Sequence, residues 1–167
     1  MNDLYTEASV KKRVTAMDTF IKVVTVFVVA VLLGAGFLFG NTLLGFLGAL
    51  GIVFAYYLIP RLKVVYEYVF CDGQLDFDAI MAGEKRKHVY RLDFDNVTIM
   101  APANSHALDS YKQSGIKIRN FSSLEKDRKV YGIVENTGDI QTLVYFEPNE
   151  KMLSYIKQKA PRKVSEY

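Results

Sequence analysis

The chain has 167 residues, half of them hydrophobic, with 21 Lys and Arg against 18 Asp and Glu for a net charge of +3. That balance excludes the basic surface nucleic-acid binding needs, and a single cysteine, Cys71, excludes an internal disulfide. The hydrophobic excess is local, because it lies before Pro60; beyond it the composition is that of a soluble domain of about 100 residues.

The first residues carry Leu4, Val10, Val14, Met17 and Ile21 mostly three or four apart, with Lys11, Lys12 and Asp18 between them. Two readings fit this helical spacing: an amphipathic segment lying in a membrane interface, or a frayed tail extending the helix that follows. Lys11, Lys12 and Arg13 before an apolar run also resemble the start of a signal peptide. The run is too long for one, since a signal core spans about 7 to 15 residues before a small-residue cleavage site.

From Val23 to Ile59 no residue ionises except Tyr56 and Tyr57. One helix of that length would measure about 55 Å, nearly twice the hydrocarbon core of a bilayer. The chain is therefore expected to turn at Gly40-Asn41-Thr42, where a helix-ending Gly meets two N-cap residues, giving spans of about Phe20–Phe39 and Thr42–Ile59. Gly36 and Gly40, and Gly45, Gly48 and Gly51, are small residues that let helices approach in lipid, either within the hairpin or in a dimer. No Asp, Glu, His, Lys or Arg lies between Val23 and Ile59, which removes the usual mark of an ion or proton pathway. The cations lie outside the turn: Lys11, Lys12, Arg13 and Lys22 before the uncharged run, Arg61 and Lys63 after it. This places both termini in the cytoplasm of a two-pass cell-membrane protein.

Pro60 is expected to end the second helix. Val64, Tyr66, Tyr68 and Phe70 then alternate with Lys63 and Glu67, Asp72-Gly73 marks a tight hairpin, and Leu75, Phe77 and Ala79 alternate with Asp76 and Asp78. Further strands are expected at His88–Leu92, Val97–Met100, Ile116–Phe121, Val130–Val134 and Ile140–Phe146, about seven in all. Their turns fall at Asp95-Asn96, Ser114-Gly115 and Thr137-Gly138-Asp139. A short helix fits between Ala101 and Ser114, and Pro148 opens a last helix with Met152, Leu153 and Ile156 on one face. Tyr66, Tyr68, Leu75, Phe77, Ile118, Val134, Phe146 and Ile156 supply the expected apolar faces. A fragment beginning at Arg61 is expected to fold alone.

Seven antiparallel strands closed by a C-terminal helix is the order of a pleckstrin-homology-like (PH-like) barrel. With the apolar hairpin, Leu62-Lys63-Val64-Val65-Tyr66-Glu67-Tyr68, Asp72-Gly73-Gln74-Leu75-Asp76-Phe77-Asp78 and Tyr145-Phe146-Glu147-Pro148-Asn149, the chain resembles small bacterial membrane proteins carrying a membrane-anchored PH-like domain, including a family of unknown function. The resemblance implies an α+β membrane protein in two parts. Residues 1–60 hold the N-terminal amphipathic segment and the two-helix hairpin, and residues 61–167 the cytoplasmic PH-like β-barrel with its C-terminal helix. It carries over no catalytic residue. Phosphoinositide-binding PH domains place Lys and Arg around a long first strand-to-strand loop; here that loop is Cys71-Asp72-Gly73-Gln74, short and without a cation.

The basic run is Lys85, Arg86, Lys87 and His88, followed by Arg91. Near an anionic leaflet each such cation adds about 1 kcal/mol of attraction; the alternative is a solvated strand face that also discourages edge pairing. Cys71, His88 and His106 have no metal-ligand spacing, Asp76 and Asp78 fit the polar face of a strand, and Ser105-His106 lacks the setting of a nucleophile. The sequons Asn96-Val97-Thr98 and Asn120-Phe121-Ser122 mean nothing on a cytoplasmic face. No cofactor, metal or catalytic activity is expected. The expected role is a membrane-anchored interaction or regulatory module with an unidentified membrane or cytoplasmic protein partner. The alternatives are an anionic-lipid sensor using Lys85, Arg86, Lys87 and Arg91, and an accessory subunit of a larger membrane complex.

Overall fold

Tyr5–Lys11 is a strand, β1, in which Thr6 is buried and Ala8 and Val10 pack against a hydrophobic core while Tyr5, Glu7, Ser9 and Lys11 point away. The computed structural model of the chain describes residues 4–81, 85–112, 115–138 and 140–165. The elements that follow are α1 (Ala16–Leu38), α2 (Thr42–Arg61), β2 (Val64–Cys71), β3 (Gln74–Met81), β4 (Lys85–Asp93), β5 (Val97–Pro102), α3 (Asp109–Lys112), β6 (Lys117–Asn120), β7 (Tyr131–Thr137), β8 (Ile140–Phe146) and α4 (Glu150–Lys159). Two compact units result. One holds residues up to Arg13 together with 65–80 and the chain from Lys85 onward; Val14–Val64 make up most of the other.

In the first unit the strands form two four-stranded sheets. Sheet A has the order β1-β2-β3-β4 and sheet B the order β5-β7-β8-β6. β1 lies antiparallel to β2 over seven residue pairs, from Tyr5 opposite Cys71 to Lys11 opposite Val65. The β2–β3 turn is Asp72-Gly73, both with positive φ (43° and 98°), as a two-residue turn matched to the strand twist requires. β6 runs parallel to β8, and β7 antiparallel to it.

Three expectations are corrected here. The N-terminal segment is not an amphipathic helix or a frayed tail: the inward residues of β1 are Thr6, Ala8 and Val10, too small and polar to display a period of two. The domain is not a closed barrel of seven antiparallel strands, since its described residues form eight strands in two open sheets with one parallel pair. Pro60 does not end α2, which continues to Arg61; so near the terminus the proline removes one backbone donor, and Leu62 and Lys63 donate to Ile59 and Pro60 in a tightened last turn.

The core between the sheets is aromatic. Phe77 stacks on Phe121 with centroids 4.7 Å apart, and Tyr68 meets Phe77 and Phe146 edge to face at 5.6 and 5.7 Å. α4 closes it with Met152 and Ile156, its N-cap Asn149 accepting from the Met152 N–H. Sheet B is covered on both faces, because Ile133 and Val144 enter this core while Val134 and Leu143 pack with Ala101 and Leu108 on the other side. Ile118 is not a core residue; it is 56% exposed on edge strand β6. The expected short helix is a 3-10 turn, His106–Leu108, running into α3. Of the expected turn residues, Ser114 and Asp139 lie outside the described residues.

In the second unit α1 and α2 are each long and apolar enough to cross a membrane. A capping box of Thr15 and Asp18 starts α1, Gly40 (φ 61°) makes the turn, and Asn41 caps α2 by accepting from the Leu43 and Leu44 N–H groups. The helices touch through glycine: a Cβ on Gly36 would lie 2.5 Å from the backbone nitrogen of Gly45, one on Gly48 2.7 Å from Leu33, and one on Gly51 2.8 Å from Val29. Small residues here serve the contact within the hairpin.

Candidate functional site: the charged face of sheet A

The outer face of sheet A is a ladder of opposite charges. On β3, Asp76 and Asp78 point away from the core that Leu75 and Phe77 enter. On β4, the Arg86 Nε donates to Asp78 Oδ2 at 2.7 Å, and the His88 Nδ1 lies 2.9 Å from Asp78 Oδ1. Arg86 also reaches Glu67 of β2 at 2.9 Å. Arg91 donates twice to Asp76, from Nε at 2.6 Å and from Nη2 at 3.0 Å. Arg86 and His88 share this face with Arg91 while Tyr90 turns inward to Phe77, so the alternation slips by one residue between His88 and Arg91.

These contacts set the electrostatics. Partial burial pushes the Asp78 carboxyl up, but hydrogen bonds from Arg86 and His88 outweigh it and hold the group below its ordinary value of 3.8. Asp76 and Asp78 hold Arg91 and Arg86 more firmly charged. Because the folded state lowers the Asp78 pKa, its contribution to stability is complete above the ordinary carboxylate range and is lost as pH falls through the folded value. Asp78→Asn should therefore lower stability by about 1 kcal/mol at neutral pH, the partners being largely exposed, and the deficit should vanish in acid. Thermal unfolding of both proteins across that range measures it; an equal deficit at all pH values would show that packing, not charge, sets the effect.

The four basic residues singled out in the sequence divide into two kinds. Arg86 and Arg91 are committed to carboxylates, whereas Lys85 and Lys87 are exposed and their side chains make no hydrogen bond or ion pair among the described residues. The soft ligands are apart: Cys71 is exposed at the end of β2, His88 belongs to the ladder, and His106 pairs with Asp109 at 2.9 Å. Among the described residues no three His, Cys, Asp or Glu side chains gather around a common point.

Sequence reasoning missed a set of interior fasteners. Glu135 is buried and accepts from the Tyr90 hydroxyl, over whose ring the Arg119 guanidinium lies at 4.5 Å. Burial, then the Glu135 hydrogen bond, pushes the Tyr90 pKa up to about 12. Glu147 is buried and accepts from the Ser123 N–H and hydroxyl at 2.6 and 2.7 Å, and the Tyr68 hydroxyl donates to the Phe121 carbonyl at 2.5 Å. Their partners are 24 to 53 residues distant in sequence, so no local pattern marks them. Two open grooves flank residues 125–129: one of about 540 Å³ beside Pro102, Asn104 and Tyr131, the other of about 490 Å³ beside Ser9, Val10 and Asn149.

The two sheets, the closing helix and a face of paired and free charges define a PH-like interaction domain, suited in general to a lipid or a protein. The chain belongs to the family described as "Bacterial PH-like domain (DUF6106)", whose profile matches residues 2–166 and so takes in the hairpin as well as the sheets. Neither the curated proteins nor the solved structures gave a match.

Proposed function

We propose that this chain is a membrane-anchored, non-enzymatic interaction module, its hairpin in the cell membrane and its PH-like domain presented to a protein partner on the cytoplasmic side. One observation carries the reading: β1 precedes the apolar hairpin and β2 follows it, yet the two pair residue for residue in one sheet. Both ends of the hairpin therefore lie on one side of any bilayer it crosses, which two spans satisfy and one does not. At 23 and 20 residues, α1 and α2 extend about 34 and 30 Å, enough for the hydrocarbon core. Phe27, Phe37, Leu43, Phe46 and Phe54 are each more than 60% exposed on them, which suits lipid rather than water. The cations flanking the hairpin and the uncharged Gly40-Asn41 turn favour cytoplasmic termini.

Cys71, exposed at the end of β2, is the built-in probe. In intact cells an impermeant maleimide should leave it unlabelled, and should label it once the membrane is opened, while the protein stays in the membrane pellet through a carbonate wash. Labelling of intact cells would overturn the orientation, and release by carbonate would overturn the anchor. The lipid-sensor reading through Lys85, Arg86, Lys87 and Arg91 is second, because two of its four cations are already neutralised by Asp76, Asp78 and Glu67.

A further inference from the structure

We infer that the end of sheet A from which the hairpin departs is a contact surface for anionic lipid headgroups, built from the cations that the protein leaves without partners. The inference rests on the reading of α1 and α2 as a bilayer anchor. It differs from a site on the basic run, because it draws on three separate segments and excludes Arg91.

Sheet register brings the segments together. The chain leaves sheet A at Lys11 and returns opposite it at Val65, so both covalent links to the hairpin are at one end of the sheet. The Asp72-Gly73 turn brings β3 back toward that end, where β4 begins with Lys85 and Lys87; the pairing of Asp78 with His88 and of Asp76 with Arg91 fixes the opposite sense of β3 and β4. Residues 124–130 reach the same end, because the Arg13 N–H donates to the Ser123 carbonyl at 2.8 Å and Arg128 and Lys129 border one groove with Ser9 and Val10. Arg13 is three residues from the start of α1, so the chain allows at most about 11 Å between them.

Charge is distributed unequally between the two ends. At the far end, Asp72, Asp93 and Asp95 lie beside Lys159, Arg162 and Lys163; Lys159 bonds Asp72 at 2.9 Å and Lys163 donates to the Phe94 and Asp95 carbonyls. Positive and negative groups cancel there. At the hairpin end, the side chains of Lys11, Lys12 and Arg13, then Lys85 and Lys87, then Lys126 and Lys129 make no ion pair or hydrogen bond among the described residues, while Arg128 pairs with Glu125. Among the described residues, Asp127 and the exposed Glu150, which line the groove with Lys129, are the carboxylates left beside them, so the seven cations remain in excess. Cations without partners at the sheet end that leads into the hairpin, three of them within five residues of α1, have anionic headgroups as their complement.

The test reconstitutes the full chain in phosphatidylcholine vesicles carrying a trace of spin-labelled phosphatidylglycerol or spin-labelled phosphatidylcholine, and reads the motionally restricted fraction of each. The unmodified chain should favour the anionic probe by roughly fivefold, what one well-placed cation supplies, and added salt should erode the preference. Replacing Lys11, Lys12, Lys85 and Lys87 together by Gln should abolish it, and replacing the same four by Arg should keep it. Lys117→Gln with Arg162→Gln, at cations away from that end, should leave it unchanged. No preference in the unmodified chain, survival of the preference in the Gln variant, loss in the Arg variant, or equal loss in the distal control would each overturn the proposal. Retention of the protein in carbonate-washed vesicles separates these outcomes from failure of the anchor, which would release the protein altogether.

Discussion

A chain begun at Arg61 should be poorly soluble and should unfold without a cooperative transition, whereas one in which a short Gly-Ser turn replaces residues 14–63 should be soluble and unfold cooperatively. The first loses β1, and with it the buried Thr6 and the partly buried Leu4, Ala8 and Val10 that pack on the core. At up to 1.5 to 3 kcal/mol for a fully buried aliphatic side chain, the apolar part comes to about 2–4 kcal/mol, a large share of the roughly 5–15 kcal/mol by which domains are stable. It also bares the backbone of β2 along seven residue pairs, a template for association. The second keeps every strand, because Lys11 and Val65 are already neighbours and a short link spans them. Thermal unfolding and sedimentation of both proteins decide the matter: equal behaviour would mean that β1 is dispensable to the sheet.

Gly36→Leu should separate α1 from α2, whereas Gly34→Leu should not. The new Cβ at position 36 meets backbone, at 2.5 Å from the nitrogen and 2.8 Å from the Cα of Gly45, and backbone cannot rotate away as a side chain can. At position 34 there is nothing within 4 Å. Overpacking ordinarily costs about 1–3 kcal/mol, and a clash with a helix backbone belongs at the upper end or beyond. Disulfide formation between Val29→Cys and Gly51→Cys in a Cys71→Ser background reports the contact, since Gly51 faces the Val29 side chain. Cross-linking in membranes should be lost with Gly36→Leu and kept with Gly34→Leu; undiminished cross-linking with Gly36→Leu would place the helix contact elsewhere.

The sequence made some of this legible for identifiable reasons. Asp72-Gly73 stood out because few residue pairs accept positive φ at both positions, and the helix pair because a Gly-Asn helix stop and N-cap break a long uncharged run in the middle. β1 was hidden by its own inward residues, Thr6 and Ala8, whose modest hydrophobicity left the helical spacing of Leu4, Val10 and Val14 as the louder signal. The parallel placement of β6 was beyond reach, because it follows from how the chain returns through β7 and not from anything within Lys117–Asn120. Ile118 misled for a related reason, as an apolar residue on a short edge strand can remain in solvent. For the charged face, the run from Lys85 was visible, but which cations are free depends on Asp76, Asp78 and Glu67 arriving from neighbouring strands.

β1 also leaves the ribosome before β2, and its partner in the sheet exists only once Val65–Cys71 have been made. At about 5–20 residues per second, the roughly fifty residues between them take several seconds to synthesise, far longer than the microseconds in which two strands can zip together. With the hairpin anchored as proposed, those seconds are the interval in which α1 and α2 enter the bilayer, and their turning back delivers Val65 to the side where Lys11 waits. Under that proposal folding of the domain is ordered in time: the bilayer would close the long loop first, and sheet A would be completed only by a chain whose second helix has already returned.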